Sequence, residues 1–190
     1  MTTDPPMSPM APMAPTPPVP PTRVVLLGMM GSGKSSVGRA LSALTGWPFV
    51  DNDELVQAAT GRTARELLAE RGEAAMREAE AAALRRGLAA DPPAIVATAA
   101  GTVLDPENRR RIDEGGFVVW LTAAPEVLAR RAAGAAHRPW LDEDPEAWFA
   151  ATAAERNPLY AAISDLVIDT GAIRPDEAAR RIVEALSAGG

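Results

Sequence analysis

The segment Gly28-Met29-Met30-Gly31-Ser32-Gly33-Lys34-Ser35 fits the spacing G-x-x-x-x-G-K-[ST] and follows an apolar, β-rich run from Val24 to Leu27. A chain with this pattern has few options. The strand must end in a glycine-rich turn whose N–H groups curl around an anion, and a helix must start at once so that its positive end meets the same anion. The lysine ammonium then reaches the terminal phosphates, and the serine hydroxyl becomes a ligand for Mg²⁺. A helix is predicted from Ser35 to Leu44. Lys34 is also the only lysine among 19 basic residues, the others being arginine. A position that keeps a compact ammonium in an arginine-biased chain is one where a point charge matters.

Further β-rich runs follow at Pro48 to Val50, Ala94 to Thr98, Phe117 to Leu121 and Asp165 to Ile168, with helical patterns between them. Five such strands alternating with helices predict an α/β fold of three layers, a five-stranded parallel sheet covered on both faces. The helix starts carry signals. Thr63 and Glu66 have capping-box spacing, and Asp105 before Pro106 opens a helix over Glu107 to Glu114 that Gly115 and Gly116 release. Pro175 opens a last helix with Ala178, Ile182, Val183 and Leu186 on its inward stripe.

Residues 1 to 22 hold 9 of the 18 prolines and 4 of the 7 methionines, so a disordered Pro-rich tail is expected there, with one domain from 23 to 190. The net charge of −6 and the scattered bases argue against nucleic acid as partner. A small molecule is the expected partner. No cysteine and a single histidine, His137, exclude thiolate and histidine-cluster metal sites, so any metal must be held by oxygen. No apolar run reaches the ~20 residues of a membrane span, and no secretion signal is visible. A cytoplasmic monomer without membrane association is the expectation.

A phosphate cradle leaves the acceptor open. Asp51-Asn52-Asp53 closes the second strand, and alternation along a strand would aim Asp51 and Asp53 the same way, toward the phosphate site. One could support Mg²⁺, and the other could orient or deprotonate an attacking hydroxyl.

With these residues placed, the chain resembles the shikimate kinases, a family of P-loop enzymes with the nucleoside-monophosphate-kinase-like fold. The resemblance runs from about Val24 to Ile182. It is carried by GMMGSGKSSVGRALS at 28 to 42, FVDND at 49 to 53, TGRTARELLAERGEAAMREAE at 60 to 80, HRPWL at 137 to 141 and ERNPLY at 155 to 160. It implies ATP-dependent, Mg²⁺-requiring transfer of the γ-phosphoryl group to the 3-hydroxyl of shikimate, on the route to aromatic amino acids. It also implies a small substrate-binding region at about 51 to 80 and a lid at about 131 to 145.

Residue by residue, the resemblance implies a nucleotide site made of Gly28 to Ser36, Arg131 and Arg138. Asp53 matches the aspartate that meets the reacting hydroxyl, and Asp51 and Ser35 match the Mg²⁺ supports. Arg77 and Arg156 match the pair that grips the substrate carboxylate, a task suited to guanidinium forks. Gly101 belongs to the same acceptor wall. Lys34, Asp53 and Arg138 are the candidate catalytic residues, Arg138 as the lid arginine over the phosphates. Arg131 matches the arginine against adenine, with adjacent Arg130 an equal candidate from sequence. Glu80, three residues after Arg77, can hold that arginine in place.

Two departures stand out. The family's Gly-Gly-Gly run after the third strand is Ala99-Ala100-Gly101 here, and two methyls would crowd a ligand there or forbid a positive φ. Met76 replaces the phenylalanine usual before the substrate arginine. These changes leave a related carboxylated polyol or cyclitol as an alternative acceptor, and a non-catalytic nucleotide-binding protein as a third reading.

Overall fold

The computed structural model describes residues 22–133 and 144–188. Five strands, β1 Arg23–Leu27, β2 Phe49–Asp51, β3 Ala94–Ala97, β4 Phe117–Thr122 and β5 Leu166–Asp169, form one all-parallel sheet in the order β2-β3-β1-β4-β5. The strand carrying the phosphate loop is therefore central, between β3 and β4. The register pairs Asp51 with Ala97, Leu27 with Trp120 and Thr122 with Asp169, so the five carboxyl ends form a single edge. In open parallel sheets ligands bind outside that edge, where the strand order reverses.

The helices are α1 Lys34–Thr45, α2 Asn52–Thr60, α3 Ala64–Leu88, α4 Pro106–Asp113, α5 Pro125–Ala133, α6 Pro145–Ala161 and α7 Pro175–Ala188. Alternation along β1 divides the core. Val24 and Leu26 pack with Val37 and Leu41 of α1 and Ile182 and Leu186 of α7. Val25 and Leu27 face the other way, onto Leu84 of α3, Ile112 of α4, Leu128 of α5 and Phe149 of α6. A strand buried on both faces reads as an unbroken apolar run, as Val24 to Leu27 does. The expected α7 stripe is buried as well.

A third, smaller cluster of Val56, Leu67, Met76 and Ala83 joins α2 to α3 beside the sheet. Two local signals shape it. Thr63 caps α3 as expected, its side chain accepting from the Glu66 N–H while the Glu66 carboxylate accepts from the Thr63 N–H at 2.7 Å. Gly72, at φ 81° and ψ 176°, then bends α3. The second half of α3 thereby swings Met76, Arg77 and Glu80 toward the carboxyl edge of the sheet.

Candidate active site

One cleft of about 990 Å³ opens at that edge, and most of the residues expected to do chemistry line it. Its floor is the phosphate loop. Gly28, Gly31 and Gly33 all have positive φ, which side-chain-bearing residues rarely adopt. Gly33 caps α1 without a side-chain acceptor, so the free N–H groups of the first turn face the cleft rather than a serine or aspartate cap. Met30 to Ser36 line the cleft. Gly28 and Met29, read from the motif as nucleotide contacts, do not. Met29 is packed into the core, and a methyl on Gly28 would sit 2.2 Å from the Leu121 carbonyl oxygen. Their contribution is through the backbone. Their carbonyls accept from the Lys34 ammonium at 2.8 and 3.1 Å, which aims Nζ over the loop. Burial pulls the Lys34 pKa down, against the opposing charges of Asp53, Asp51 and Glu80.

The carboxylates arrive by a route different from the expected one. β2 ends at Asp51, and Asp53 is the second residue of helix α2, so strand alternation does not aim the pair. Asp51 is the N-cap: one carboxylate oxygen accepts from the Asp53 N–H at 3.0 Å, and this local bond turns the chain into a helix before a strand could continue. The other oxygen accepts from the Ser35 hydroxyl at 2.6 Å. Asp51 is buried and Asp53 exposed, and both still line the cleft. Two hard oxygen donors in contact, open to a phosphate site, suit Mg²⁺, which takes one or two protein oxygens and completes its shell with phosphate and water.

The far wall holds the arginines. Arg77 donates to Glu80 at 2.9 Å and to Glu73 at 3.1 Å. Glu80 is buried, and that burial raises its pKa despite the neighbouring guanidinium. Arg156 projects from α6 with a side chain only 13% exposed, its Nε buried without a hydrogen-bond partner among the described residues and 3.6 Å from the Glu155 carboxylate. Two guanidinium groups thus line one cleft. Gly101 makes the approach of Arg77 possible: a methyl there would lie 1.7 Å from Nη1. Ala99 and Ala100 line the same wall with no positive φ, so the backbone accepts alanine and only their methyls distinguish this wall from a glycine run.

Of the two adjacent arginines of α5, Arg131 lines the cleft and Arg130 does not. Arg131 donates to the Gly31 carbonyl at 3.2 Å and to the Thr170 carbonyl and hydroxyl at 2.7 and 3.1 Å. Thr170, absent from the sequence reading, is buried and donates in turn to the Ser32 carbonyl at 2.9 Å. Its one sequence signal is its place, directly after the fifth strand at the ligand-binding edge. Arg138, His137 and the central part of the expected lid lie outside the described residues, as does all but the last residue of the Pro-rich segment.

Fold and site together define a P-loop kinase for a small molecule: a phosphate loop, a metal-suited oxygen pair and a wall with two arginines around one cleft. Comparison with known proteins makes the assignment specific. The shikimate kinase family model matches residues 30–187, and the chain belongs to that family. The shikimate kinase of Symbiobacterium thermophilum is 42% identical over 166 residues, covering 86% of this chain and 95% of the relative. That of Halorhodospira halophila is 41% identical, covering 87% and 93%. The solved shikimate kinase from Acinetobacter baumannii in complex with shikimate superposes with a TM-score of 0.83 at 28% identity, covering 88% of this chain and 94% of that one.

Proposed function

We propose that this ATP-dependent kinase transfers the γ-phosphoryl group to the 3-hydroxyl of shikimate, giving shikimate 3-phosphate. The observation that carries the reading is the convergence of Lys34, the Ser35–Asp51 pair and Asp53 with Arg77 and Arg156 on one cleft, in a chain of this family.

In this reading Arg77 and Arg156 hold the acceptor carboxylate, and Asp53 sits at the hydroxyl end. The Asp53 carboxylate accepts the hydroxyl proton as the alcohol oxygen bonds to the γ-phosphorus and the bond to the β-phosphate oxygen breaks. Lys34 and the N-terminus of α1 stabilise charge on the transferred group and on the ADP leaving group. Ser35 and Asp51 would hold Mg²⁺, which supplies charge neutralisation between the phosphates. Arg131 lies along the nucleotide, and the family resemblance gives Arg138, outside the described residues, the role of the lid arginine for the phosphates, in a segment at about 131 to 145. The working domain is 23 to 190, acting as a monomer in the cytoplasm; among the described residues no helix is long and apolar enough to cross a membrane.

The methyls of Ala99 and Ala100 in the acceptor wall favour one second reading, a kinase for a related carboxylated polyol. A coupled ADP-release assay with shikimate, quinate, gluconate or no acceptor, with and without Mg²⁺, tests both. Shikimate-dependent, Mg²⁺-dependent ADP release is expected. Faster turnover of another acid gives the site to the second reading, and ADP release indifferent to every acceptor sinks both.

A further inference from the structure

Behind the acceptor wall, and not lining the cleft, lies Tyr160, fully buried on α6. Its ring stacks on Trp120 of β4 at 5.9 Å between centroids. Its hydroxyl donates to the Ala100 carbonyl at 2.6 Å, across 60 residues of sequence. The carbonyl before that one, of Ala99, accepts from the Thr102 hydroxyl and N–H at 2.7 and 3.2 Å. Both carbonyls of the turn are therefore fixed, and with them the peptide that leads into Gly101, the residue over which Arg77 lies. One helical turn before Tyr160, Arg156 lies close enough for its charge to act on the phenolic oxygen, although burial dominates and raises the phenol's pKa.

We propose that the Tyr160 hydroxyl is a positioning group for the organic-acid acceptor: by tying the Ala100 carbonyl to α6 it fixes the distance between the Gly101–Arg77 wall and Arg156. The proposal rests on the reading of Arg77 and Arg156 as the carboxylate grip. Packing alone would need only the ring. The hydroxyl is what registers the two halves of the grip, because it ties the half-buried Ala100 carbonyl to α6, and a carbonyl released from that donor would turn toward another.

The test uses the full chain. Tyr160→Phe keeps the ring and its stacking. It is expected to raise the shikimate KM about five- to tenfold while the ATP KM stays within about twofold. Trp120→Phe, which loosens the packing but keeps the hydroxyl, should lower Tm without that selective change. Equal shikimate KM values for Tyr160→Phe and wild type overturn the proposal. Arg156→Ala run in parallel separates the two levels: a raised KM there with Tyr160→Phe unchanged sinks this inference alone, whereas an unchanged KM in Arg156→Ala sinks the grip itself. A second readout needs no variant. Tyr160 is the only tyrosine in the chain, so incorporation of 3-fluorotyrosine gives one ¹⁹F resonance. Saturating shikimate should shift it and ADP alone should not; no shift with shikimate, or an equal shift with ADP, overturns the assignment.

Discussion

Gly101→Ala isolates the acceptor grip with the smallest possible change. Gly101 has φ −90° and ψ −7°, an ordinary conformation for alanine, so the backbone has no reason to move. The added methyl would lie 1.7 Å from Arg77 Nη1 and 2.6 Å from its Cζ, whereas ordinary contact begins near 3.4 Å. The guanidinium must therefore retreat by about 1.7 Å, the difference of 3.4 and 1.7. That retreat breaks the 2.9 Å bond to Glu80, whose carboxylate is buried. Losing a charge-assisted hydrogen bond of this kind costs about 1.5–3 kcal/mol, and displacement from an acceptor carboxylate draws on the same scale. At 1.4 kcal/mol per decade the shikimate KM should rise roughly 10- to 100-fold. The ATP KM should stay within about twofold, since the three atoms nearest a methyl on Gly101 all belong to Arg77. Steady-state ADP release with each substrate varied in turn, together with a thermal melt, reads all three quantities. A shikimate KM equal to wild type in a folded variant would refute the placement of Arg77 over Gly101.

Asp53→Asn should lower kcat by more than about 100-fold with little change in ATP affinity, measured by calorimetry and single-turnover kinetics; a loss confined to ATP binding would move Asp53 to the nucleotide side. Thr170→Val removes the hydroxyl that bridges Arg131 to the Ser32 carbonyl, so the ATP KM should rise about three- to tenfold with the shikimate KM unchanged. The reverse pattern in steady-state kinetics would contradict the role given to Arg131. Burial holds the Glu80 carboxyl above the usual range of about 4.3. The folded state therefore binds its proton more readily than the unfolded chain. The resulting stability is full at pH below the unfolded value and is lost as pH rises through the raised folded value. Glu80→Gln should flatten Tm against pH across that window and raise the shikimate KM at neutral pH by loosening Arg77; parallel Tm curves for both proteins would count against the buried-carboxylate account.

Much of this architecture was legible before any coordinates. The phosphate loop is a contiguous signal, its glycines, Lys34 and Ser35 lying within eight residues, so local conformation and chemistry coincide there. The five strands, the Thr63–Glu66 cap and the inward stripe of α7 are likewise set by near neighbours, and each lies within a residue or two of its predicted place. Asp51 and Asp53 both line the cleft, though not by the expected geometry: strand periodicity could not foresee that the Asp51 side chain would cap α2 and end the strand. That Arg131 lines the cleft and Arg130 does not is set by how α5 lies against the sheet, which the sequence does not show.

The sequence by itself determined that this chain holds a phosphate-bearing nucleotide, through one glycine-rich turn and one lysine, and that a parallel sheet carries that turn. The family resemblance names Arg77, Gly101 and Arg156 for the opposite wall, but only the tertiary structure decided how they meet. Arg77, Gly101 and Arg156 belong to α3, the turn after β3 and α6, and they meet because the parallel register brings every carboxyl end to one edge. Tyr160 closes the ERNPLY stretch, yet the partner of its hydroxyl, like that of Thr170, could not be read from the sequence. Their hydroxyls bond to carbonyls 60 and 138 residues away, and a bond to distant backbone leaves no pattern in the residues on either side.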